Sequence, residues 1–156
     1  MTKKELMREA IRLSKENMDM GGGPFGAVIA SLEGDLIATG VNQVTNNNDP
    51  TAHAEVNAIR SACNKLKTFD LSNYEIYTSC EPCPMCLGAI YWSHLNKIYY
   101  ANTKEDAKAI NFDDSFIYNE MALAPQDRIL PSEKMIDKEA IKVFECWEKK
   151  NNKVNY

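Results

Sequence analysis

Hydrophobic spacing along this chain alternates between helical and strand periods in the order α-β-β-α-β-α-β. A layered α/β sheet is the architecture that buries such an alternation. The spacing of Leu6, Ala10, Leu13 and Asn17 predicts a first helix from about Lys3 to Met20, with Thr2 and Glu5 at capping-box separation and Gly21 as its stop. Gly21-Gly22-Gly23-Pro24 then breaks the chain. Phe25 to Ser31 and Leu36 to Val41 are short apolar runs joined through Glu33-Gly34-Asp35, the pattern of a β-hairpin. Asn42 to Pro50, dense in asparagine, reads as loop. A helix over about Ala52 to Lys65, a strand over Tyr74 to Thr78, a helix opened by Pro82 and running to about Ser93, and a strand over Lys97 to Ala101 complete the alternation. The remainder reads as mainly helical, over Asp114 to Leu123 and Lys138 to Lys150, with a short strand near Lys134 to Ile136. No linker or repeat divides the 156 residues, so a single domain is expected.

Charge narrows the partners. The formal net charge is −4, and only four of the 18 basic residues are arginine. A protein that lives on phosphates usually carries a basic excess, so nucleic acid is disfavoured as the main partner. No apolar run approaches the roughly 18 residues a membrane span needs. Met1-Thr2-Lys3-Lys4-Glu5 leads into charged amphipathic sequence without a signal-peptide core, so a cytoplasmic location is expected. In that compartment the five cysteines read as metal ligands, catalytic groups or core fillers rather than disulfides.

Two clusters at helix starts carry the chemistry. His53-Ala54-Glu55 opens the second helix, and Pro82-Cys83-Pro84-Met85-Cys86 opens the third. Cys83 and Cys86 stand three residues apart on a helix, so both sulfurs point to one side. A helix N-terminus favours the thiolate that a metal requires. Two thiolates and one imidazole make a three-ligand zinc site with an open fourth position, the catalytic rather than the structural pattern. Pro82 pushes Glu81 toward extended geometry, which leaves Cys80 at the strand end as a buried apolar group; Cys63 and Cys146 are read likewise on their helices. Glu55, two residues from His53, reaches a metal-held water without being a ligand, the place of a general base and proton shuttle. His-x-Glu alone is equally a helix-start histidine beside a solvated glutamate. Paired with Pro-Cys-x-x-Cys it is the signature of zinc deaminases.

At these residues the chain resembles the cytidine-deaminase-like superfamily, over nearly its whole length. The resemblance implies a three-layer α/β/α fold with a five-stranded mixed sheet and one zinc per subunit, held by His53, Cys83 and Cys86. Within the superfamily, four segments look like the bacterial guanine deaminases: Gly22 to Ile29, Asn48 to Glu55, Tyr77 to Trp92, and Phe112-Asp113-Asp114-Ser115-Phe116-Ile117-Tyr118. That likeness implies hydrolysis of guanine to xanthine and ammonia. Glu55 would take a proton from zinc-bound water, the hydroxide would attack C2, and Glu55 would then protonate N3. A small purine base as partner and a homodimer are implied too, with residues 150–156 reaching the partner subunit.

The substrate residues keep two readings each. Asn42 offers a donor and an acceptor to a purine edge, or simply starts a turn. Asp114 accepts a proton or hydrogen bond from the ring or leaving amine, or is a helix cap. The backbone N–H of Ala54, or one near Cys83, is a candidate substrate donor. Trp92 and Phe112 either stack on the base or belong to the core. Tyr156 closes the pocket, as the C-terminal segment does in such deaminases, or is a frayed end. The nearest rival function is a tRNA-adenosine deaminase acting on an anticodon base, which keeps the zinc site; the charge balance and the terminal segment weigh against it. A non-catalytic zinc module is the rival of another class, and an intact Glu55 beside only three ligands weighs against that.

Overall fold

The computed structural model describes residues 1–156, the side chain of Asp137 excepted. Helix α1 (Lys3–Asp19) begins with the expected capping box: Thr2 Oγ1 accepts the Glu5 N–H at 3.3 Å and the Glu5 carboxylate accepts the Thr2 N–H at 2.7 Å. Its inner face buries Leu6 and Ala10, and Gly21, at φ +87°, turns the chain away. Strands β1 (Gly26–Ser31) and β2 (Leu36–Val41) form the antiparallel hairpin, with Gly26 opposite Val41 and Ile29 opposite Ala38.

A short helix, α2 (Val44–Asn47), interrupts the segment expected to be loop. It closes on Asn48 at φ +51°, a conformation asparagine tolerates better than most residues. Helix α3 (Ala54–Leu66), strand β3 (Tyr74–Cys80), helix α4 (Pro84–Trp92) and strand β4 (Lys97–Asn102) follow as the spacing predicts. Helix α5 (Lys104–Ala109) has its own capping box, Thr103 with Asp106.

The sheet order is β2-β1-β3-β4, with β1 antiparallel to both neighbours and β3 parallel to β4. Period-two alternation sorts the central strand between two layers. Ala27 and Ile29 pack with Ala54, Ala58, Ala62, Ile76 and Ile90 under α3 and α4. Val28 and Ala30 pack with Tyr77, Leu6 and Ala10 under α1. Three layers, α/β/α, result. Each large side chain buried in them contributes about 1.5–3 kcal/mol. The α3 layer lies unusually close to the sheet, because a Cβ on Gly40 would fall 2.2 Å from the Ala54 carbonyl oxygen and 2.4 Å from the Ala58 nitrogen.

The expected five-stranded sheet is corrected to four strands among the described residues. Residues 134–136 form no strand. Ile136 sits at φ +51°, which bends the chain into a helix instead of extending it. Residues 115–156 form a second compact unit, with α6 (Ser115–Ala122), a single 3-10 turn at Pro125–Asp127 and α7 (Asp137–Glu148). Within it Arg128 Nε donates to the Glu120 carbonyl at 3.1 Å, and the Glu120 carboxylate accepts the Ile129 N–H at 2.7 Å. None of its described residues is buried. No described helix is long and apolar enough to cross a membrane.

Candidate metal centre

His53 and Cys83 are the N-cap residues of α3 and α4, both extended (φ −71°, ψ 158° and φ −67°, ψ 169°), and neither side chain caps its own helix. Their side chains are therefore left for other work. Asp49 fixes the approach to α3, its carboxylate accepting the Thr51 N–H at 2.8 Å and the Thr51 hydroxyl at 2.7 Å. At α4, Pro84 occupies the first helical position, where a missing N–H costs nothing. Before it, the Glu81 N–H donates to the Asn102 carbonyl at 2.8 Å, tying the entry of α4 to the end of β4. Cys86, one turn in, is fully buried.

These starts converge. His53 Nδ1 lies 3.5 Å from Cys83 Sγ and 3.5 Å from Cys86 Sγ, and the three donor atoms all fall within 4.8 Å of one another. A tetrahedral zinc with Zn–S of about 2.3 Å and Zn–N of about 2.05 Å demands an N···S separation of about 3.6 Å. The donor set and its spacing thus fit zinc, with one coordination position left over.

Charge at the site follows from the same contacts. Cys83 is held as a thiolate well below the ordinary thiol range, first by the hydrogen bond from Cys86 and then by His53. Cys86 is pushed up, by its bond to Cys83 and by burial. His53 is raised by its hydrogen bond to Cys83. Glu55 is only 6% exposed, with Oε2 3.3 Å from Cys86 Sγ and Oε1 3.2 Å from Thr78 Oγ1. Burial raises its pKa above the usual carboxylate value. The Thr78 hydroxyl donates its one proton to the Cys80 carbonyl at 2.9 Å, which fixes its rotamer and turns its oxygen lone pairs toward Glu55 as acceptors for a protonated carboxyl.

The other candidates are placed unevenly. Asp114 is half-buried; burial raises its pKa, and the Cys83 charge adds to the rise. Phe112 packs edge-on to Phe25 at 4.9 Å, half exposed. Asn42, 8% exposed, follows β2, and its Oδ1 accepts the Val44 N–H at 3.3 Å in an Asx turn. Its Nδ2 has no protein partner among the described residues. Ala54 is the buried first residue of α3, with a backbone N–H of the kind a helix start leaves without an intrahelical acceptor. Trp92 ends α4, about 13 Å along the helix from Cys83, and is exposed. Tyr156 lies in the second unit, exposed. Cys80 is buried as expected, its thiol pushed up to about 11 chiefly by burial. Cys63 is only half-buried and Cys146 is exposed, so the reading of these two as buried fillers is corrected. Thr78 and Asn17 were not marked by the sequence as site residues; for Thr78 the one available sign is that it shares the β3 face of Ile76 and Cys80.

Residues 1–102 match the family model for the cytidine and deoxycytidylate deaminase zinc-binding region. Guanine deaminase of Bacillus subtilis (strain 168) is 46% identical over 100% of both chains. The X-ray structure of guanine deaminase from Bacillus subtilis superposes with a TM-score of 0.96, covering 100% of this chain and 99% of that one. A guanine deaminase structure from Nitrosomonas europaea matches at 37% identity and a TM-score of 0.70, over 72% of this chain and 65% of that one. The tRNA-specific adenosine deaminase of Aquifex aeolicus (strain VF5) is 39% identical over 65% of this chain and 66% of its own length.

Proposed function

Because the chain belongs to the zinc deaminase family defined by that region, we propose that it hydrolyses guanine to xanthine and ammonia. One observation carries the chemistry: a buried Glu55 lies against three nitrogen and sulfur donors spaced for zinc. The full-length likeness to the Bacillus subtilis enzyme supports the substrate, since the tRNA-specific relative from Aquifex aeolicus matches only about two thirds of the chain. Zinc on His53, Cys83 and Cys86 supplies, when bound, a water acidified toward a pKa of about 7 and a charge that stabilises developing oxyanion. Glu55 Oε2, on the donor side, takes a proton from the attacking water and returns it to N3 as the oxygen adds to C2. A second transfer by Glu55 moves the remaining hydroxyl proton to the amine as the C2–N bond breaks. Water and guanine thus give xanthine and ammonia with no proton unaccounted for.

The same reading gives roles to the surrounding residues. Asn42 presents its open amide to an acceptor on the purine edge, the Ala54 N–H supplies a second donor, and Phe112, braced by Phe25, stacks on the base. Asp114 accepts from the ring or departing amine. Trp92 is the second aromatic to stack on the base, and the protein acts as a homodimer of single deaminase domains in which residues 150–156 reach the partner subunit and Tyr156 closes the partner's pocket. A C-terminal unit of 42 residues with no buried residue among those described supports that, since so short a segment has too little core to stand alone. The enzyme works in the cytoplasm, a reducing compartment in which the thiols of Cys83 and Cys86 stay available to a metal.

Incubating the zinc-loaded protein with guanine, adenine, cytosine, guanosine and an anticodon stem-loop, with products followed by mass, tests the reading. Xanthine from guanine alone is expected; inosine in the stem-loop with guanine untouched overturns it. In the same assay Asp114→Asn lowers kcat by about 10²-fold at unchanged zinc content, and deletion of residues 151–156 raises KM. Unchanged kinetics in either variant removes that role.

A further inference from the structure

We infer that Asn17 is a positioning residue for Asn42, and through it sets how tightly guanine is held; this rests on the proposed role of Asn42. Asn17 falls at a helical interval where an apolar side chain is the ordinary choice, yet it is 3% exposed and polar. Its Nδ2 donates to the Gly23 carbonyl at 2.8 Å and to the Asn42 carbonyl at 2.7 Å. A primary amide nitrogen carries two protons in one plane, and both are used here. Serine or aspartate offers at most one. A Cβ on Gly22 would fall 2.4 Å from that nitrogen, so the glycine leaves the opening through which Asn17 reaches the substrate-reading segment.

A second asparagine grips the same segment from the other side of the sheet. Asn57, on α3, donates from Nδ2 to the Val41 carbonyl at 2.9 Å and to the Ala52 carbonyl at 3.3 Å. The Asn42 N–H donates to the Phe25 carbonyl at 3.2 Å. Carbonyls 41 and 42 are thus held from α3 and α1 respectively, and every backbone polar group of Asn42 is committed. Only its side chain is left to choose a direction, and the Asx turn to Val44 limits even that. A clamp needed only to end α1 would not also hold the carbonyl of Asn42, a buried residue whose own amide nitrogen is open.

A double-mutant cycle on guanine kinetics, with zinc content and thermal unfolding measured alongside, decides the matter. Asn17→Ser raises KM about tenfold, the worth of one well-placed hydrogen bond, with kcat changed less than about threefold and one zinc retained per chain. Gly22→Ala, which displaces the Asn17 amide without removing it, gives the same split. In an Asn42→Ala background Asn17→Ser adds no further rise. Additive effects of the two substitutions, or a fall in kcat together with zinc content, overturn the inference. So does an unchanged KM in Asn17→Ser beside a raised one in Asn42→Ala. An unchanged KM in Asn42→Ala instead refutes the role of Asn42 itself, and the inference falls with it.

Discussion

Glu55→Gln lowers kcat by about 10²- to 10⁴-fold while zinc stays bound at one per chain. Glutamine matches glutamate in shape, so its amide still meets Thr78 and its body still fills the buried space beside Cys86. What it lacks is an oxygen able to take a proton and give it back. Because no charge has to be buried in the variant, its unfolding temperature stays at or above that of the parent, since burial already raises the pKa of Glu55. Turnover, metal content and thermal unfolding measured on one preparation separate lost proton transfer from lost structure. Normal turnover in the glutamine variant sinks the shuttle role.

Cys86→Ala abolishes zinc binding at working concentrations, and activity with it. Groups that merely support a ligand are worth about 10- to 100-fold in metal affinity, and a direct ligand is worth more. His53 and Cys83 alone leave two donors, too few for a tetrahedral ion that must also keep a place for water. Cys80→Ala is the informative control. That thiol is the next in the chain, six residues before Cys86, but it lies at the end of β3, 3.5 Å from the Thr103 carbonyl, and takes no part in the trio. Metal analysis of the two variants should show zinc lost from the first and retained in the second. Zinc retained in Cys86→Ala would mean that the ligand set is wrong.

The ligands were legible because their chemistry is local. Pro82 ends the extended chain, the cysteine spacing fixes which side the sulfurs face, and His53 stands two residues before an acid. The four strands of the first 102 residues were equally legible along the chain, since each is an apolar run bounded by strong turn signals, whereas their order in the sheet was not. The missing fifth strand shows where such reasoning stops. Lys134 to Ile136 has strand composition, but a strand exists only through a partner ladder, and Ile136 is drawn into a left-handed turn at the start of α7. Cys146 failed for a related reason: its helix looks amphipathic, but no described residue of its unit is buried. Asn17 was hidden by its own periodicity. A polar residue at an inward helical position shows its purpose only once the two carbonyls it serves are brought to it from Gly23 and Asn42. Helix α5 was within reach, because Thr103 and Asp106 have the separation of a capping box.

Gly40 holds none of the ligands, yet it acts as a gauge for half of the site. With backbone resting on backbone between β2 and α3, no compressible side chain lies in that gap to absorb a shift. A methyl group at position 40 would drive the start of α3 outward by roughly an ångström, a displacement of the size that costs an active site about 10²-fold. The histidine and the glutamate would move with that helix, while the cysteines, hung from β3 and α4, would stay. The N···S gap would then exceed the separation of about 3.6 Å that a tetrahedral zinc demands. The spacing of the donor trio is therefore set partly by a strand that contributes no donor to it.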